Sequence, residues 1–255
     1  MSRLRVLLCG AAGRMGTAVA AGIRAAPDLE LVASVGRGED LAAVLARVRP
    51  DVAVDFTTPR AVAANVQAML RARVPAVVGT TGLTPTALRG LARAAARART
   101  GVLVAANFAL GAVLLEQACA GIAQVLAAVE ILELHHDGKR DAPSGTALRT
   151  AAAIAAAQRR AGLRPAPAAG ESSPARGLRV AGIPVHSVRL PGLVAHQEVL
   201  FGAPGQVLAV RHDVTDRSAY VPGVLLAIRR VRRLRGLVQG LESLLPGRGL
   251  RQGPP

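Results

Sequence analysis

The chain has 255 residues, 51% of them hydrophobic, which suits one large domain or two small ones with a sizeable core. Cys9 and Cys119 stand apart, with no CxxC or Cys/His cluster, which excludes a disulfide framework and a structural zinc site. Apolar runs are broken by Arg, Gly or Pro before membrane-spanning length, and a net charge of +16 leaves nucleic acid or a small anionic substrate as partners.

The elements alternate from the start. "RLRVLLCG" reads as a buried strand ending in glycine, and "AAGRMGTAVAAGIRAAPD" as a glycine-rich turn and a helix. "LELVASV" is a second strand, "EDLAAVLARVRP" a short helix and "DVAVDFT" a third strand. A helix opened by proline, "PRAVAANVQAMLRARV", leads to a fourth strand, "PAVVGTTG". A helix capped by Thr84 and a fifth strand, "TGVLVAAN", follow. Strands alternating with helices imply βαβ units and a mainly parallel sheet.

The second half reads differently. A helix "LGAVLLEQACAGIAQVL", a strand "VEILELHH" and a helix from Ser144 precede a Pro/Ala/Gly/Ser loop over residues 165–177. Three strand candidates follow, "LRVAGIPVHSVRL", "LVAHQEVLFG" and "QVLAVRHDV", with short links that point to antiparallel pairing. The expected fold class is α/β: an N-terminal Rossmann-type parallel sheet plus a C-terminal α+β domain with a mixed or antiparallel sheet. The expected boundaries are a nucleotide-binding domain over 1–107, completed by the helix near 217–235, a second domain over 108–216, and a basic, mobile tail over 236–255. The N-terminus enters a strand at once with no signal-peptide pattern, so a soluble cytoplasmic protein is expected.

Strand, then Gly10-Ala-Ala-Gly13-Arg-Met-Gly16, then helix is the context of a dinucleotide site, although the spacing is GxxGxxG. Glycine admits the pyrophosphate, and helix N-terminal amides face its charge. An NAD site wants an acid at the end of the second strand for the ribose 2′-OH. Gly36 stands there and Arg37 follows, which favours NADPH. Arg14 is a second cation, and Glu39 or Asp40 can still supply the acid that NADH needs.

Lys139 is the only lysine among 32 cationic side chains. Arginine does not deprotonate in proteins, so a lysine kept where arginine serves everywhere else suggests proton donation or a compact ammonium that a guanidinium cannot replace. His135 and His136 end a strand, and "DGK" turns the chain so that imidazoles and ammonium can converge. Ser144 is an N-cap, leaving the Gly145 and Thr146 amides to an anion such as a carboxylate at the start of the next helix. Adjacent histidines point apart on a strand and no third ligand is evident, so no metal is expected. Most arginines are scattered singly. The cluster "RRVRRLR" lacks accompanying aromatics, so nucleic acid is the weaker reading of the charge.

These residues resemble the 4-hydroxy-tetrahydrodipicolinate reductase (dihydrodipicolinate reductase) family. The matching segments are "GAAGRMG", "DFTTP", "GTTG", "AANFALG", "ELHHDGKRDAPSGTAL" and "VRLPGLVAHQEVLF". The resemblance implies an NAD(P)H-dependent reductase of lysine and diaminopimelate synthesis, a small dicarboxylate substrate, and a homotetramer built by the second domain's sheet. It implies His135 as proton donor and acceptor and Lys139 as proton donor, with His136, Gly145 and Thr146 on the substrate carboxylates beside the Ser144 cap. It implies a cofactor lined by Gly10, Ala11, Ala12, Gly13, Arg14, Met15, Gly79, Thr80, Thr81, Ala105, Ala106, Asn107 and Phe108. The chain departs from the family pattern at Gly36, Ala109, Val113, Gln197 and Tyr220, and in its basic tail. A related dehydrogenase acting on another amino or imino acid would keep the glycine turn without needing the histidine-lysine segment. A basic nucleotide- or nucleic-acid-binding protein without activity would rest on the net charge of +16 and the Arg229–Arg235 cluster.

Overall fold

The computed structural model describes residues 2–164 and 174–245. They divide into two compact units. Unit 1 takes the described residues up to Leu110 and from Arg217 onward; unit 2 is Gly111–Asp216.

Unit 1 is built from β1 (Leu4–Cys9), α1 (Arg14–Ala25), β2 (Leu29–Val35), α2 (Leu41–Val48), β3 (Val52–Asp55), α3 (Val62–Arg71), β4 (Ala76–Val78), α4 (Pro85–Ala98) and β5 (Gly101–Val104). Helix α7 (Val221–Val231) and β11 (Gly236–Gln239) return to it from the far end of the chain. The sheet runs β2-β1-β3-β4-β5-β11 and every pairing is parallel. The inner strands read as largely apolar runs because helices cover both faces. Val6, Leu7, Leu8, Val52, Ala53 and Val54 are all fully buried. Two helix starts follow from local chemistry: the Asp40 carboxylate accepts from the Ala42 and Ala43 amides, and Thr84 accepts from Ala87 with Pro85 in the first turn. The chain reverses its direction of progress at β1, with β2 on one side and β3 on the other. This is the switch point where open α/β sheets bind ligands at their carboxyl edge.

The tail expected over 236–255 begins too early. Residues 236–239 form β11 against β5 because Leu237 and Val238 continue the sheet, and Leu241 and Leu244 are buried after it. Residues 246–255 lie outside the described residues, as do residues 165–173 of the expected loop; Pro174–Arg176 is a short 3-10 turn.

Unit 2 holds α5 (Leu110–Ile122, entering from unit 1), β6 (Ala128–His135), α6 (Gly145–Arg160), β7 (Leu178–Val180), β8 (Ile183–Arg189), β9 (Ala195–Ala203) and β10 (Gln206–Val214). Its sheet is ordered β10-β9-β6-β8-β7. The first strand candidate of this half is two strands, β7 and β8, joined by Ala181 and Gly182 at φ 50 and 88. Two positive φ values make the tight turn that matches strand twist in a hairpin. β8 also pairs parallel to β6, through a crossover that includes α6, so the sheet is mixed. One face is closed by a core of Leu115, Cys119, Val129, Ile131, Ile154 and Phe201. The other face leaves Val188 and Val207 exposed, with Leu132, Leu134 and Leu200 half-buried between them.

Candidate active site

The glycine turn sits at the switch point of unit 1. Gly10 has φ +84 and its amide donates to the Val35 carbonyl at 3.0 Å. A Cβ on Gly10 would overlap the Phe56 carbonyl, and one on Gly16 would overlap the Gly10 carbonyl. Gly13 is the N-cap of α1 and offers no side chain, so the first turn has no side-chain cap. Ala12, Gly13 and Arg14 are exposed, while Ala11 and Met15 are half-buried. A bare helix N-terminus behind a glycine turn fits a pyrophosphate.

Two other expected segments meet the turn at the same sheet edge. Gly79 follows β4, and a Cβ on it would enter the Phe56 ring. The Phe108 ring stands 5.7 Å from that of Phe56. Ala105 is buried, Ala106 exposed, and the Asn107 side chain accepts from the Ala109 amide at 2.8 Å. Thr81 is exposed, whereas Thr80 is buried and its hydroxyl donates to Asp55 at 2.6 Å. Asp55 was not singled out from the sequence. It is fully buried and also accepts from the Thr57 amide and hydroxyl and from Asn65, so one carboxylate ties the loops after β3 and β4 together. The acid closing an otherwise apolar strand, "DVAVDF", was the signal available.

At the end of β2, Arg37 is exposed. The Glu39 carboxylate turns back to accept from the Gly36 amide at 2.5 Å, whereas Asp40 is occupied as the cap of α2. Burial pushes the Cys9 thiol up to about 12, with Asp55 and Glu39 adding to the rise. Of the two acids that could serve a ribose hydroxyl, Glu39 is the one held at the strand end.

In unit 2 the site is organised by a residue that the pattern did not mark. Glu133 lies on the covered face of β6 with a fully buried side chain. One oxygen meets His135 Nδ1 at 2.5 Å and Arg189 Nη1 at 3.0 Å. The other accepts from Arg189 Nη2 at 2.8 Å and from the Ser144 amide at 3.3 Å. Burial pushes the Glu133 carboxyl up, but hydrogen bonds from His135, Arg189 and Ser187 outweigh it and bring the value from 4.5 down to about 2.

Of the expected residues, His135 and Ser144 meet this carboxylate directly. His135 ends β6 with its side chain mostly buried. Lys139 follows in a turn whose amide donates to the His136 carbonyl at 3.1 Å. Its ammonium meets both oxygens of Asp141 at 2.8 Å, which holds the Asp141 carboxyl below its usual range. The His136 ring lies beside Gly138. Ser144 is buried, its hydroxyl capping α6 through Ala147 at 3.2 Å, so it shapes the helix start. Gly145 is exposed with open space about its α-carbon, and Thr146 is half-buried beside it. Of the departures, Ala109 and Val113 are buried, and Gln197 is buried and donates to Thr150 at 2.9 Å. Among the described residues, no group of three His, Cys, Asp or Glu side chains could hold a metal ion.

A dinucleotide turn on one unit, and on the other a histidine, a lysine and a helix N-terminus suited to an anion, define a nicotinamide-dependent oxidoreductase of two-unit build. Family models for the dihydrodipicolinate reductase N-terminus and C-terminus match residues 4–108 and 111–245. The chain is 50% identical over 248 residues to the 4-hydroxy-tetrahydrodipicolinate reductase of Streptomyces coelicolor, covering 96% of this chain and 99% of that protein. It is 44% identical over 265 residues to the enzyme of the same name from Moorella thermoacetica, covering 96% and 99%. A dipicolinate-bound dihydrodipicolinate reductase from Paenisporosarcina sp. TG-14 superposes with a TM-score of 0.85 at 36% identity, covering 95% of this chain and all of that one. The chain belongs to the dihydrodipicolinate reductase family.

Gly16→Ala tests the turn directly. Its Cβ would press on backbone, which cannot swing aside as a side chain can. The variant is expected to lose about 1–3 kcal/mol of stability and to bind dinucleotide more weakly, as read by thermal unfolding and by titration of nicotinamide fluorescence.

Proposed function

We propose that this enzyme reduces 4-hydroxy-tetrahydrodipicolinate to tetrahydrodipicolinate with NAD(P)H, in lysine and diaminopimelate synthesis. The observation that carries the reading is that Glu133 joins His135 and the Ser144 helix start, with the Lys139 carbonyl tied to the same carboxylate through Arg189, in a chain of this family. The bound dinucleotide supplies the hydride. Gly145 and Thr146, at the positive end of α6, and His136 hold the substrate carboxylates. Water leaves the hydroxylated ring. Cationic groups stabilise the charge that builds as the ring double bond is reduced, and Lys139 and His135 deliver the proton. The segments 10–15, 79–81 and 105–108 line the dinucleotide.

Both nicotinamide cofactors serve, with NADPH preferred. The Arg37 guanidinium suits a 2′-phosphate, and the Glu39 carboxylate can accept from a 2′-hydroxyl. Arg37→Ala is expected to raise the KM for NADPH roughly tenfold, the worth of one charge-assisted hydrogen bond, and to spare NADH. Glu39→Gln should do the reverse. Steady-state kinetics with each cofactor separate the two outcomes.

The open face of the unit 2 sheet, with Val188 and Val207 exposed, supports assembly of four copies through that surface. Sedimentation equilibrium would read four chain masses. The deciding assay generates the substrate with its synthase and follows loss of reduced nicotinamide absorbance. Absence of dicarboxylate-dependent oxidation would overturn the reading. It would favour a related dehydrogenase for another imino acid, whose fold an amine dehydrogenase from Mycobacterium smegmatis shares at a TM-score of 0.65 and 16% identity.

A further inference from the structure

We infer that Glu133 and Arg189 are positioning residues for the proton-transfer groups, an inference that rests on the reading of His135 and Lys139 given above. Glu133 selects which nitrogen of His135 works, and Arg189 sets the turn that carries Lys139.

The choice of nitrogen follows from acceptor chemistry. An ionised carboxylate has no hydrogen to give. The His135 nitrogen 2.5 Å from Glu133 Oε2 is Nδ1, so Nδ1 must be the donor. The neutral ring then carries its lone pair on Nε2, and the charged ring carries its exchangeable proton there. The opposite tautomer would set a ring lone pair against a carboxylate lone pair in a buried site. Glu133 is in turn fixed by the bidentate guanidinium of Arg189, which β8 brings opposite His135 in register.

Arg189 does more than neutralise that charge. Its five N–H groups have five acceptors: two Glu133 oxygens, and the carbonyls of Val188, Lys139 and Asp141 at 2.7, 3.3 and 2.6 Å. Two of these carbonyls, those of Lys139 and Asp141, belong to the segment that leaves the turn at Lys139. A lysine at 189, with three donors on one atom, could not make this set. Buried ion pairs contribute little net stability compared with apolar residues of similar size. Here the pair instead joins the strand end, the lysine turn and the helix start through one carboxylate and one guanidinium.

The test uses the full chain with isotope-labelled histidine and long-range proton–nitrogen NMR. The chain has 5 histidines, and the His135 signals are those lost in His135→Gln. Wild type is expected to show the Nδ1–H tautomer in the neutral ring. Glu133→Gln should move it toward Nε2–H, displace the pH profile of kcat and lower kcat roughly 10- to 100-fold, with the KM for NADPH unchanged. Arg189→Lys retains the charge and should lower kcat over the same range, with the KM for NADPH again unchanged. Circular dichroism confirms that the variants are folded, and if Glu133→Gln does not fold, the wild-type tautomer alone decides. An Nε2–H ring in wild type, or an unchanged tautomer and pH profile in Glu133→Gln, would overturn the inference. The spectra need no substrate, so a wild-type enzyme inactive on the dicarboxylate would sink the assigned reaction, whereas an active enzyme with an Nε2–H ring would sink only this inference.

Discussion

Lys139→Arg is expected to lower turnover by roughly 10²–10⁴-fold, the range that general acid–base catalysis supplies. The barrier rises by about 3–5 kcal/mol. Charge is not the quantity removed. Lys139 meets both Asp141 oxygens at 2.8 Å, and a guanidinium is well shaped to keep a two-point contact with that carboxylate. The turn is held by Arg189 through the Lys139 carbonyl, which the substitution leaves in place. What is removed is the ability to release a proton, because a guanidinium does not deprotonate in proteins. Dinucleotide affinity should be unchanged, since the turn at Gly10 belongs to the other unit. Steady-state oxidation of NADPH with synthase-generated substrate reads the effect. Turnover near that of wild type would remove Lys139 from the proton-donor role.

The parts of the molecule that were legible are those whose signal is local. The parallel sheet of unit 1 could be read because its inner strands are buried on both faces and appear as largely apolar runs. Thr84 and Ser144 could be read as caps because a cap is a matter of a few neighbouring residues. His135, Lys139 and Ser144 stood out together because they lie within ten positions of one another. The misses are long-range. β7 and β8 merged into one strand because their turn is Ala181-Gly182, a weaker signal than Asn-Gly or Asp-Gly. The parallel pairing of β8 with β6 depends on a crossover that short apparent links concealed. β11 is three half-buried residues and an exposed Gln239 beside a cluster of arginines, and it becomes a strand only because β5 offers an edge. Glu133 looked like one more charge in a strand of partial alternation. Its importance comes from Arg189, 56 residues further on, and no local pattern records that pairing.

Arg189→Met is expected to destabilise the fold by about 3 kcal/mol, the lower end of the cost of breaking a buried ion pair. The lower end applies because Glu133 would keep His135 and the Ser144 amide as donors. The pH dependence identifies the source. In the folded chain Glu133 titrates at about 2 against an ordinary 4.5, so its contribution is fully present above 4.5 and is lost as pH falls toward 2. That difference is worth on the order of 3 kcal/mol. With the guanidinium gone, the carboxyl loses one of the interactions that keep it ionised, and its folded value rises toward the ordinary one. The stability gap between wild type and Arg189→Met should therefore be widest above pH 4.5 and narrow as acid is added. A residual gap should remain from the Lys139, Asp141 and Val188 carbonyls that lose their donor, because those bonds do not titrate. The double variant Glu133→Gln/Arg189→Met should cost less than the sum of the two single changes, since it leaves no charge buried alone. Urea unfolding by circular dichroism from pH 7 to pH 3 measures all four chains: wild type, the two single variants and the double variant. A gap that stayed constant with pH would mean that Arg189 supports the turn through its carbonyl bonds alone, and that the Glu133 carboxylate owes its ionisation to His135.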